Sequence, residues 1–454
     1  MGSANDGAPG PIRPLVVSRR NIKGSKQTRT FDQPAGFKAR AGALSALHAV
    51  LEQGRLLEES TIKGSPADRA EARGLADLTL RRLNQIDDVL SRFVDRSPKG
   101  NGHQILRLMA AELLFNQTSP HAAVDMAVRL AKTHRSTARL AGLINAVGRR
   151  LAQQGAAIVA DQDAAAMALP DWLANRLSRD WGADITRGIA QAHLTPAPHD
   201  LTMKIAGDAE ALAQDLSATI LPTGSVRLKD RPQISALPGY EAGAWWIQDA
   251  AAALPVHMLP AGPGKRILDL CAAPGGKTMQ LAASGASVTA LDISDHRLRR
   301  VSENLKRTGL DAELIEADAL DWSPQQPFDA ILLDAPCSAS GTIRRHPDLP
   351  HRRDHLDLND LQRLQRALLD RSVDWLIPGG TLVFCTCSLF KPEGETLIDA
   401  VLASDKRLAL DPLTAQDGIP AEMVTHQGYL RTRPDHWSEL GHLDGFFAAR
   451  LLRQ

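Results

Sequence analysis

Two short stretches of the chain end an apolar run in a thiol: Leu332-Leu333-Asp334-Ala335-Pro336-Cys337-Ser338 and Phe384-Cys385-Thr386-Cys387-Ser388. A buried cysteine is usually an inert small hydrophobe. Two of them at adjacent strand ends, with the acid Asp334 beside them, form a set that can act on a pyrimidine ring. C5 of an unactivated pyrimidine is a poor nucleophile, and a thiolate added at C6 makes it enamine-like and able to accept an electrophilic methyl. In that reading Asp334 holds the base edge and supports charge at N3 and N4 as the thiol adds. Arg344, Arg345, His346 or a helix N-terminus would supply the positive potential that favours the thiolate. Arg344, Arg345, Arg352 and Arg353, with His346 and His351, sit in a Pro-rich loop. The cluster suits phosphate contacts beside a target base; the plainer alternative is a solvated charged loop.

A second constellation could hold the methyl donor. From Ile267 to Leu281 a short apolar run reaches Cys271-Ala272-Ala273-Pro274-Gly275-Gly276-Lys277 and then restarts at helical spacing. It reads as strand, tight loop and helix, the arrangement that places ligands at the carboxyl end of a strand in an open α/β sheet. Gly276-Lys277-Thr278 imitates a phosphate loop, but the earlier glycine of that motif is missing. Asp292 and Asp318 end the next two apolar runs. Each either accepts hydrogen bonds from ribose hydroxyls or caps the following turn; in register behind the glycine-rich loop, the pair favours a nucleoside site.

The rest of the chain must position these groups. At 454 residues it is long enough for two or three domains. With 53 Lys and Arg against 52 Asp and Glu, the formal charge of +1 means that a nucleic acid would be met by local patches. The four cysteines show no Cys-x-x-Cys or His spacing, so reduced cytoplasmic thiols are expected and no metal site. No apolar run of about 18 residues suggests export or membrane insertion.

Residues 1–38 read as a disordered basic arm or a plain solvated tail. Residues 39–151 carry helical periodicity nearly throughout, for about five to seven helices, with breaks at Gly64-Ser65-Pro66, Ser97-Pro98 and Ser119-Pro120. Residues 152–169, rich in Ala, Gln and Asp, read as a linker, and 170–240 as a small α/β module. From 241 to 454 strands and helices alternate: strands at 267–270, 288–291, 313–316, 329–333 and 381–385, helices at 277–283, 296–308, 358–375 and 394–403. That order predicts a doubly wound, mostly parallel sheet whose strand ends share one rim. Residues 430–433 and 445–452 are expected as an antiparallel hairpin at its edge.

The motifs Asp269-Leu-Cys-Ala-Ala-Pro-Gly-Gly-Lys277, Asp334-Ala-Pro-Cys337 and Thr386-Cys387-Ser388 resemble, in order, those of the Sun/Fmu RNA (cytosine-5)-methyltransferases. At the front, Arg40-Ala-Gly-Ala-Leu-Ser-Ala-Leu and Ile144-Asn-Ala-Val-Gly-Arg149 resemble the first and last helices of a NusB-type RNA-binding domain. The resemblance covers the chain from about residue 39 and implies a Rossmann-type (class I) methyltransferase domain behind an all-α NusB-like domain. It implies an S-adenosylmethionine site made by Cys271, Ala272, Ala273, Pro274, Gly275, Gly276, Lys277, Asp292, Asp318 and Asp334, with Trp245-Trp246-Ile-Gln-Asp249 walling the methionine side. It also implies Cys387 as the nucleophile on C6 and Cys337 as the thiol that assists breakdown of the adduct; DNA cytosine-5 enzymes swap these roles. The family often has a tyrosine and a small residue where Phe384 and Cys385 stand, and a Glu-Asn pair where Gly394-Glu395 stands. Cys385, two residues short of Cys387 and deeper on the strand, reads as core.

The expected function is methylation of C5 of a cytosine in ribosomal RNA, with the small-subunit rRNA as target and an unpaired cytosine in a loop or bulge as acceptor. A tRNA cytosine is the rival target. A non-catalytic RNA-binding or antitermination factor is the rival class, and retention of Asp334, Cys337 and Cys387 speaks against it. A cytoplasmic protein without membrane contact is expected; the sequence leaves the oligomeric state open, with a monomer as the working expectation.

Overall fold

The computed structural model describes residues 34–57, 62–351, 357–414 and 417–454. The basic arm up to residue 33, and Arg352 and Arg353, lie outside them. The N-terminal region is helical: α1 (Phe37–Leu51), α2 (Pro66–Arg81), α3 (Leu83–Ser91), α4 (Asn101–Leu114), α5 (Pro120–Lys132), the short α6 (Arg135–Ala138) and α7 (Ala141–Ala160). Local chemistry sets the boundaries. Ser65 and Asp68 form a reciprocal capping box at the start of α2, with Pro66 in its first turn. The apolar stripes converge on one core built around Leu47, Leu80, Ile86, Ile105, Leu130 and Ile144.

Helix α1 starts at Phe37, inside the expected arm, and α7 runs to Ala160, through half of the expected linker. Ala and Gln are strong helix formers, and the helix stays docked because Leu151 and Gly155 are buried. A Cβ on Gly155 would come within 2.5 Å of Leu114. Helix α8 (Ala164–Met167) buries Ala165, and Ala168 and Leu169 join the core of the following helices.

Those helices, α9 (Asp171–Trp181) and α10 (Ala183–His193), were expected in the small module, yet they pack on Ile343, Leu389 and Phe390 from the loops after the two thiol motifs. Trp172 and Trp181 donate their indole N–H groups to the carbonyls of Pro350 and Leu389. The small module is a four-stranded antiparallel sheet of β1 (Asp200–Met203), β2 (Thr219–Ile220), β3 (Val226–Arg227) and β4 (Trp245–Ile247), with α11 (Ala209–Asp215) on it. Its last strand lies beyond the expected boundary at 240, because Trp245 fills the module's own core.

After α12 (Ala250–His257) the large sheet begins: β5 (Arg266–Leu270), α13 (Gly276–Ala283), β6 (Ser287–Asp292), α14 (Asp295–Thr308), β7 (Glu313–Glu316), β8 (Phe328–Asp334), α15 (Leu358–Asp374), β9 (Leu376–Thr386) and α16 (Glu395–Ser404). The chain ends with β10 (Leu408–Leu410), β11 (Leu430–Thr432) and β12 (Phe446–Arg453). The order β10-β12-β9-β8-β5-β6-β7 is parallel from β7 to β9. Strands β5 and β8 are apolar on both faces because helices cover both. The expected antiparallel hairpin is present, with β11 paired to β12 at Leu430–Thr432 on the outer side, beside β10; of the two strands only β12 is interior, because it also pairs antiparallel with β9 along Phe447–Leu452. Its run Phe446-Phe-Ala-Ala-Arg-Leu-Leu is too apolar for an exposed edge. Among the described residues no helix is long and apolar enough to cross a membrane.

Candidate active site

The glycine-rich loop leaves β5 at Leu270 and turns at Cys271, whose φ is +61°. Gly275, at φ +96°, could carry no side chain: a Cβ there would lie 2.9 Å from Val301. The loop is pinned by acids beneath it. Asp292, 1 % exposed at the end of β6, accepts the backbone N–H groups of Ala273 and Ser294, each at 3.1 Å, with Arg297 at 3.5 Å. Asp318 accepts the Leu320 N–H at 2.9 Å in the turn after β7. Asp269 is fully buried and accepts the Thr278 hydroxyl at 2.6 Å through one oxygen; the other has no partner. Burial pushes its carboxyl up to about 7. Cys271 is likewise pushed up by burial and by the acids around it.

Asp334 ends β8 and joins the two halves of the site. Lys277 reaches it from the first turn of α13 at 2.8 Å and also lies 4.8 Å from the centre of the Phe446 ring. Burial disfavours the ammonium, but Asp334 outweighs it and raises the Lys277 pKa. The other Asp334 oxygen faces Cys385 Sγ at 3.5 Å, so Cys385, buried as expected for core, also touches the acid. Asp334 and Cys385 are register partners, and that pairing aligns the two thiol motifs. Cys337 Sγ and Cys387 Sγ stand 3.5 Å apart. Contact with Cys387 and burial hold the Cys337 thiol well above its ordinary pKa. All four cysteines are free.

A cleft of about 800 Å³ opens along the loop, lined by Trp246, Gln248, Ala272, Gly276, Lys277 and Asp334. Of the expected tryptophan wall only Trp246 faces it; Trp245 points the other way off β4, into the small module.

Among the described residues of the basic cluster after β8, three of the four side chains are engaged within the protein. Arg344 is 2 % exposed and donates to the carbonyls of Ala192 and Gly441. Arg345 bridges Asp249 at 2.5 Å and Asp444 at 2.7 Å. His351 Nε2 meets the Leu80 carbonyl at 3.1 Å, while His346 is exposed. A dense loop of arginines looks alike in sequence whether it faces water or buried carbonyls. Sequence reasoning also missed Glu393, fully buried behind the thiols, and Gln365 beside it. The available signal was slight: a serine follows each thiol, and one acid lies just beyond the second.

A parallel five-strand core with its cofactor-type loop after the first of these strands, and reactive groups at the ends of the fourth and fifth, defines a Rossmann-type methyltransferase domain. Residues 256–452 match the family 16S rRNA methyltransferase RsmB/F and residues 37–153 the NusB family. The chain belongs to the RsmB/F family of rRNA methyltransferases, with a NusB-family domain in front. It is 38% identical to the ribosomal RNA small subunit methyltransferase B of Xylella fastidiosa strain Temecula1, over 92% of this chain and 98% of that protein. Its fold is similar to that of the solved protein PH0851, with a TM-score of 0.69 and 22% identity over 90% of this chain and 98% of that one. The NSun6 structure from Pyrococcus horikoshii with SFG matches 63% of this chain and 98% of that one, with a TM-score of 0.54 and 20% identity.

Proposed function

We propose that the protein methylates C5 of a cytosine in small-subunit ribosomal RNA, using S-adenosylmethionine and a covalent adduct between Cys387 and C6. The observation that carries this reading is the pair of thiols 3.5 Å apart beside the Asp334–Lys277 ion pair. A scaffold would need none of these groups.

The residues fit the donor. The cradle from Cys271 to Lys277 is glycine-lined and borders the cleft, Asp269 keeps an unpartnered acceptor beneath it, and Asp292 and Asp318 stand at the next two strand ends. These residues with Asp334 would hold S-adenosylmethionine, which supplies an electrophilic methyl when bound.

The protein's own groups do the rest. Cys387, as thiolate, adds to C6 and turns C5 into the nucleophile. As the thiol adds, N3 takes up the proton that Cys387 gives up, and Asp334 accepts hydrogen bonds from the resulting N3–H and from the N4 amino group. Once Cys387 is held as a thioether it no longer keeps the Cys337 thiol protonated; Cys337 gives its proton to solvent and, as thiolate, takes the C5 proton, and the electron pair of that C–H bond expels Cys387. The acceptor is an unstacked cytosine in a loop or bulge, since a paired base cannot present C6 to a buried thiol. The helical domain of about 39–151 and the small module position the RNA, in the cytoplasm.

The test is to incubate the protein with tritiated S-adenosylmethionine and total RNA lacking the modification, then map the label. Label in 5-methylcytosine of the small-subunit rRNA is expected; no incorporation in any RNA class contradicts the reading.

A further inference from the structure

Behind the two thiols lies a polar network that the chemistry above does not use. Glu393 is fully buried, and no lysine or arginine among the described residues pairs with it. It is held instead by groups from both thiol motifs. Through Oε1 it accepts the Ser338 backbone N–H at 2.9 Å, next to Cys337, and the Gln365 amide at 3.1 Å. Through Oε2 it accepts the Ser388 hydroxyl at 2.6 Å, next to Cys387. Its own carbonyl accepts the Thr386 hydroxyl at 3.0 Å, on the other side of Cys387. Gln365 also donates to the Pro336 carbonyl at 2.9 Å. The hydroxyls of Ser338, Ser340 and Ser388 lie 3.0 to 3.2 Å from one another, closing the network.

A buried carboxyl group without a cation is costly unless several donors satisfy it. Here two of those donors, the Ser338 N–H and the Ser388 hydroxyl, belong to residues flanking the two reactive thiols, 50 residues apart in sequence. We propose that Glu393 is a positioning residue of the methyl-transfer reaction, clamping the turn that carries Cys337 to the strand end that carries Cys387 so that both thiols reach one base. The inference rests on the reaction proposed above. It assigns Glu393 no contact with RNA or methyl donor; the side chain acts through Ser338 and Ser388. A displacement of the order of 1 Å at a reacting group can cost roughly 100-fold in rate.

Three variants of the full chain test the clamp, assayed for kcat, for KM of RNA and of S-adenosylmethionine, and for the rate of adduct formation with 5-fluorocytosine RNA. Glu393→Gln is isosteric: its carbonyl oxygen can keep Ser338 and Gln365, and Ser388 can turn its hydroxyl to accept. It should retain kcat within about threefold. Glu393→Ala removes every side-chain arm and should lower kcat and the adduct rate by about 100-fold, with both KM values within about threefold. If Glu393→Ala does not fold, Glu393→Asp, too short to span both sides, replaces it in the comparison. Wild-type kcat in the Ala or Asp variant overturns the clamp, as does a loss confined to KM. A wild-type protein that transfers no methyl group overturns the underlying reaction instead, so the two failures are distinct.

Discussion

Lys277 and Asp269 show how the fold carries ionisable groups around the loop. Lys277 is buried but keeps its proton because Asp334 lies 2.8 Å away and the Phe446 ring faces it. Asp269 has only a neutral hydroxyl on one oxygen. With its folded pKa raised to about 7, the unfolded chain loses this proton first as pH rises. The acid therefore weakens the fold progressively from about pH 4 to about pH 7, and the penalty is complete above that. Asp269→Asn, which can still accept from Thr278, should stabilise the protein at pH 8 and lose the advantage at pH 4; denaturant midpoints of both proteins across that range check this. The thiols and Asp334 were legible because each follows an apolar run in a short motif. The partnership of Lys277 with Asp334 was not, since the two are 57 residues apart and meet only when β5 and β8 pair.

At the scale of elements, alternation of apolar runs and helical stripes located the five parallel strands and the helices between them. It failed where composition misled. Ala-rich sequence after residue 151 looked like linker and is helix, and Arg344 and Arg345, read as phosphate contacts or as a solvated loop, are tied to carbonyls and carboxylates of the protein itself. Arg345 holds the segment after β8 to the start of α12 and the entry to β12. Burial opposes its charge, and Asp444 and Asp249 together outweigh burial. Removing one partner of such a buried set leaves the others uncompensated, so Arg345→Ala should cost about 3–5 kcal/mol, read as a lower denaturant midpoint. An exposed arginine, the plainer alternative from sequence, would cost almost nothing.

Across the whole molecule, the helical domain is docked on the loop that follows Cys337. Arg81, at the end of α2 and 3 % exposed, donates to the carbonyls of His193 at 2.7 Å and Arg344 at 2.8 Å. Asp348 accepts the Leu57 N–H at 2.9 Å, and His351 meets Leu80. No sequence pattern announces such a joint, because its acceptors are main-chain carbonyls. Arg81→Ala should lose about 2–4 kcal/mol of stability, from two hydrogen bonds made by a charged donor, and should slow turnover at temperatures where the variant remains folded. Unfolding curves and initial rates measured together check both.

The central claim is that Cys387 attacks the cytosine and Cys337 releases it. The most direct test mixes Cys337→Ala and Cys387→Ala separately with unmodified small-subunit rRNA and S-adenosylmethionine, and looks for protein–RNA adducts on a denaturing gel. Cys337→Ala should accumulate an adduct that maps to a single cytosine, and Cys387→Ala should give none. An adduct with Cys387→Ala and none with Cys337→Ala would contradict the account and exchange the two roles.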